Sequence, residues 1–123
     1  MVVFSFQSRG QNKLDKLFAE TTPEQRAELL TQKMNEKLTL TDDQRPAIYD
    51  INLRYARNVE SAYSSGGRKM KRLKSMKAAS KEKDGELKKI MTGEQYKSYL
   101  RYKDELKDMV KEKIEEKKAN QGS

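Results

Sequence analysis

The chain has 123 residues, 34% of them hydrophobic and 37% charged. That length suits one domain, and so lean a core fits long helices with thin apolar stripes better than a thick globule. Lys and Arg outnumber Asp and Glu by 27 to 19, a net charge of +8, and Cys, His and Trp are all missing; this excludes a disulfide framework, thiolate chemistry and the usual transition-metal ligands.

The first six residues, Met1 to Phe6, are apolar and uncharged. They read either as the tail of a signal-peptide hydrophobic region without its basic start or as a short ordered or tag-like segment. On the first reading the mature protein begins near Gln11 and is exported. Residues 1–20 form this N-terminal segment, with weak helical periodicity only at Leu14, Leu17 and Phe18. Residues 21–118 read as a single helical domain, and 119–123 as a disordered tail.

Within that domain the pattern Thr-x-x-Gln occurs three times: Thr22 with Gln25, Thr41 with Gln44, and Thr92 with Gln95. A Thr hydroxyl at a helix N-cap accepts from the backbone N–H three residues on. A Gln at that third position reaches back to the cap's own N–H. The spacing therefore marks three helix starts. The first helix is expected from Pro23 to about Lys37, with Ala27, Leu30, Met34 and Leu38 on one face. The second follows Thr41 and runs to about Ser64, carrying Ile48, Ile51, Asn52, Tyr55, Val59 and Ala62. Pro46 lies in its second turn and predicts a bend or a tightened start.

Ser64-Ser65-Gly66-Gly67 is the clearest breaker. A third helix is expected from about Arg68 to Met91, with a patchy stripe through Met70, Leu73, Met76, Lys77, Ser80, Leu87 and Ile90 and a bend or fray at Asp84-Gly85. A fourth follows Thr92 to about Lys118, with Tyr96, Tyr99, Leu100, Leu106, Val110 and Ile114 near heptad spacing. No strand pattern occurs. The fold class is all-α: long amphipathic helices packed as a thin layer rather than a thick bundle. Stripes this thin bury too little for a monomer, which points to a homodimer.

Charge is least even between Arg68 and Lys83, where eight cations face Glu82 alone and Met70, Leu73 and Met76 are interleaved. Flexible Met beside Lys makes a greasy, cationic and adaptable surface. It reads as a solvated face beside a core stripe or as a docking surface for acidic or unfolded polypeptide. Nucleic acid is disfavoured, because Met and Leu replace the stacking aromatics such a surface needs. The mixed charges from Asp104 to Lys118 read as a solvated helix face rather than a carboxylate metal site. The tyrosines read as helix-contact residues with their hydroxyls at the rim. Nothing resembles an enzyme signature: there is no His base, no Cys nucleophile and no phosphate loop. No run approaches the roughly 20 apolar residues of a membrane span, and no cofactor or metal is expected.

The stretches Leu40-Thr41-Asp42-Asp43-Gln44 and Met91-Thr92-Gly93-Glu94-Gln95 resemble the paired L-T-x-x-Q motifs of the Spy/CpxP family, with Met for Leu in the second copy. Ile51 to Ala56 and Glu94 to Leu100 look typical of the Spy-like group found in Bacteroidetes. The likeness covers about Thr22 to Leu106. It implies a cradle-shaped antiparallel dimer of helical hairpins in the periplasm. It also implies an ATP-independent, holdase-type chaperone whose basic, partly apolar face holds unfolded clients during envelope stress. The alternative within the family is a regulatory module docked on the sensor domain of an envelope-stress histidine kinase. The metal-sensing branch of the family uses His or Met, and this chain has no His. On the chaperone reading, Arg54, Arg57, Lys71, Lys74 and Lys77 attract clients, and Met70, Leu73 and Met76 touch their apolar segments.

Overall fold

The computed structural model describes residues 9–121. Five helices follow one another: α1 (Arg9–Glu20), α2 (Pro23–Leu38), α3 (Gln44–Ser64), α4 (Lys69–Ile90) and α5 (Gly93–Gln121). No strand occurs among the described residues. The all-α class and the four expected helices of the 21–118 domain are present. The apolar segment Met1 to Phe6, with its export reading, and residues 122–123 lie outside the described residues.

Short connections turn α3 back along α2 and α4 back along α3. α2 packs along α3, α3 along α4, and α2 also along α5, whereas α4 and α5 touch little. The α2–α3 and α4–α5 turns share one end of the molecule, where Gln44 and Gln95 meet. The α3–α4 turn lies at the other end. The core centres on Met34, Ile48, Leu87, Tyr99 and Leu106, with Leu40 and Met91 closing it near the shared end. Each such side chain contributes about 1.5–3 kcal/mol by leaving water.

Several expectations change on contact with the tertiary structure. The weak N-terminal periodicity becomes a full helix, α1, because Phe18 is clamped between the Tyr63 ring (5.0 Å between centroids) and the Arg26 guanidinium (4.9 Å). α5 continues to Gln121, so residues 119–121 of the expected disordered tail are helical. No break occurs at Asp84-Gly85; α4 is continuous there. Asp84 is held from α5 by Tyr99 and Lys103, and a lone helical Gly costs only about 1 kcal/mol.

The apolar stripe of α4 also shifts. Met70 is 77% exposed and Leu73 47%, and Ile90 is exposed as well. The face turned inward runs instead through Met76, Ala79, Lys83 and Leu87. A Lys at the middle of that face conceals its periodicity from a reading by residue type.

The regular helix begins at Gln44, after a turn at residues 42–43. Pro46 has no N–H to offer the Asp42 carbonyl, while Arg45 N–H donates to the Thr41 carbonyl at 3.1 Å.

At the far end, α3 stops at Ser64 as the Ser-Ser-Gly-Gly run predicts. Gly66 takes φ +76°, a conformation that favours glycine.

Candidate functional site

All three Thr-x-x-Gln pairs form complete capping boxes. The Thr22 hydroxyl accepts from the Gln25 N–H at 3.1 Å, and the Thr22 N–H donates to Gln25 Oε1 at 2.9 Å. Thr41 with Gln44, and Thr92 with Gln95, repeat this geometry within 0.1 Å.

The second and third boxes do more than cap. Gln44 Nε2 donates to Gln95 Oε1 at 2.7 Å, and Gln95 Nε2 donates back to Gln44 Oε1 at 3.0 Å. Gln44 also donates to the Ile90 carbonyl and Gln95 to the Thr39 carbonyl, at 3.2 and 3.3 Å. Each carbonyl immediately precedes the apolar residue of the opposite motif. Both side-chain amides thereby use every donor and both acceptor sites. The two motifs clasp each other with two-fold-like symmetry across 51 residues of sequence.

The residues before the motifs complete the junction. Leu40 and Met91 are both buried in the core. Thr39 adopts φ 52°, the left-handed region, which a β-branched residue enters only under strain of about 1–3 kcal/mol. That conformation turns its carbonyl to Gln95. It is held by Thr39 N–H donating to the Asn35 carbonyl, and by Leu40 N–H donating to Asn35 Oδ1. The motif residues are thus a structural joint between two hairpins.

The basic run lies at the opposite end. Met70, Lys71, Leu73, Lys74 and Lys77 line one open depression together with Arg68. Met70 and Leu73 supply its apolar floor. Among the described residues no acidic side chain pairs with Arg68, Lys71, Lys74 or Lys77. Arg72 is different: its guanidinium lies 5.4 Å from the Tyr63 ring centre and donates to the Tyr63 carbonyl.

Three of the residues expected to join this surface lie elsewhere. Met76 turns inward and lines a central cavity. Arg54 donates to both oxygens of Glu86 on α4, at 2.7 and 2.9 Å. Arg57 pairs with Glu24 on α2 at 3.0 Å, a contact that helps draw the Glu24 carboxyl below its ordinary range, after the larger effect of a backbone hydrogen bond. The two arginines brace α3 against its neighbours.

The groups that a reading by residue type misses are buried and polar. Lys83 is only 3% exposed. Its ammonium sits 4.2 Å from the Tyr55 ring centre and 5.8 Å from that of Tyr99. Burial pulls its pKa down to about 8, with Asp84 opposing and Lys107 and Lys103 reinforcing the shift. Tyr99 donates to Asp84 Oδ1 at 2.7 Å. Burial, then that bond, holds the phenol protonated far above its usual range. Asn52, at 1% exposure, donates to Thr31 Oγ1 at 2.9 Å.

Among the described residues no group of His, Cys, Asp or Glu converges on a point that could hold a metal ion. No described helix is long and apolar enough to cross a membrane.

A family described as a domain of unknown function, DUF4890, matches residues 8–99. That span contains both clasping motifs, the basic run, Lys83 and Tyr99, and the chain belongs to this family. No curated protein and no solved structure matches the chain.

Proposed function

We propose that this protein is a periplasmic, ATP-independent chaperone of the holdase type, in keeping with its resemblance to the Spy/CpxP family. The observation that carries the reading is the depression at the start of α4. There, exposed Met70 and Leu73 are ringed by cations without acidic partners. Elsewhere Arg26, Arg54, Arg57, Lys37 and Lys103 are each paired with a carboxylate. Unpaired cations attract acidic, partly unfolded polypeptide over roughly a Debye length, about 8 Å at physiological salt. Exposed Met and Leu then hold its apolar segments without demanding one shape. The protein works as a homodimer on this reading, with exposed Leu100 and Ile90 available to the partner.

The test is suppression of aggregation of several unrelated clients by the purified protein, at low and moderate salt. Joint Lys71→Glu, Lys74→Glu and Lys77→Glu substitution should slow capture at low salt. Met70→Ser with Leu73→Ser should weaken holding at all salts. Failure of the unmodified protein to protect any client would sink the chaperone reading. Tight binding to one sensor domain without general protection would put the regulatory reading in its place.

A further inference from the structure

A cavity of about 270 Å³ lies between the helices, away from the basic depression. Its walls are mainly apolar, with Leu30 from α2, Val59 from α3, Met76 from α4 and Val110 from α5. It is flanked by α4 and α5, which touch little. Lys107 also lines it and is exposed, which marks a solvent-facing rim.

Two groups on its wall are out of place for a dry packing void. Lys83 brings an ammonium into it with no carboxylate paired to that ammonium; the neighbouring Asp84 is taken by Tyr99 and Lys103. Asn52 is also on the wall, and its Oδ1 has no partner. The amide orientation follows from its surroundings. The Thr31 hydroxyl donates to the Ala27 carbonyl at 2.8 Å, so its oxygen can only accept from Asn52 Nδ2. The Asn52 carbonyl is left over, an unpaired buried acceptor that costs about 1–3 kcal/mol. Apolar walls with a few convergent polar groups are the usual make-up of a small-molecule site.

We propose that this cavity binds a single-chain aliphatic carboxylate of medium length, with its head group on Lys83 and its chain against Leu30, Val59, Met76 and Val110. Charge complementarity selects the head: three cations line the cavity, and of these Arg26 is paired with Glu60 while Lys83 and Lys107 are not ion-paired among the described residues. The volume, about 270 Å³, suits a single chain of medium length. This site is independent of the chaperone reading, since it uses neither Met70 nor Leu73.

The experiment is titration of the full-length protein with decanoate and decanol, followed by calorimetry and by NMR of 13C-labelled Met methyl groups. Decanoate is expected to shift the Met76 methyl saturably and leave Met70 in place. Decanol should bind at least tenfold more weakly. Lys83→Met keeps the apolar stem and should lower decanoate affinity at least tenfold, with folding checked by its thermal melt. Should that variant not fold, the comparison of decanoate with decanol on the unmodified chain decides the matter alone. Equal binding of acid and alcohol, or a shift at Met70 in place of Met76, would overturn the site.

Discussion

The two ends of this molecule are built on opposite terms. At the motif end, two turns meet and every polar group of Gln44 and Gln95 is used. Apolar Leu40 and Met91 are buried, and even a strained Thr39 is held in place. At the α3–α4 end, apolar Met70 and Leu73 face water, and the cations around them have no acidic partners. One end uses its side chains to fix backbone geometry. The other leaves them free to meet something else. On the proposed function, stability and recognition are separable between the two ends, and substitutions should reveal the division.

The largest contrast comes from truncating one Leu toward each end of α4. Leu87 is fully buried and Leu73 is 47% exposed. Leu87→Ala should cost about 2–5 kcal/mol in chemical denaturation, whereas Leu73→Ala should stay within about 0.5 kcal/mol. Comparable losses at both positions would erase the division.

Between the two ends, Lys83 makes stability depend on pH. Its folded-state pKa is about 8 and the ordinary value is 10.5. Between those values the unfolded chain holds more protons, so stability rises with pH, by on the order of 2 kcal/mol from pH 8 to 10. Asp84, Lys103, Lys107, Tyr55 and Tyr99 all face this group. Tyr55 and Tyr99 are shifted upward by burial, so above about pH 10 they reverse the trend. Denaturant midpoints across this range should climb in the unmodified protein and stay flat in Lys83→Met.

The clasp should show itself as coupling. Gln44→Ala and Gln95→Ala each remove half of a capping box and one partner of the amide pair, for about 1–2 kcal/mol apiece. The double substitution should cost about 0.5–1.5 kcal/mol less than their sum. Gln25→Ala, whose side chain has no such cross-partner, is the control and should cost less than either. Strict additivity would mean that the two motifs cap their helices independently.

The smallest effect has the opposite sign. Thr39→Gly relieves the left-handed strain of a β-branched residue and should raise stability by about 1 kcal/mol. A thermal melt shifted downward would show that the Thr39 side chain supplies something its contacts do not reveal.

Much of the architecture was legible because it is local. A capping box closes within three residues, so Thr22/Gln25, Thr41/Gln44 and Thr92/Gln95 could be placed by spacing alone. The Ser64 to Gly67 break needed only the flexibility of glycine, and the exposed cations of α4 only their density. What composition could not convey was direction. The inward face of α4 passes through Lys83, and a stripe interrupted by a cation looks patchy until the rings of Tyr55 and Tyr99 are seen around it. Arg54 and Arg57 looked free because their partners, Glu86 and Glu24, are 32 and 33 residues away.

The amino-acid sequence by itself determined where α2, α3 and α5 start, where α3 stops and which segment carries the excess charge, because caps, breakers and charge density act over a few neighbouring residues. Only the tertiary structure decided that two motif glutamines would clasp, that α4 would turn a lysine inward and that a cavity would form behind it. Those features depend on groups from different helices arriving at one place, and no spacing along the chain records that meeting.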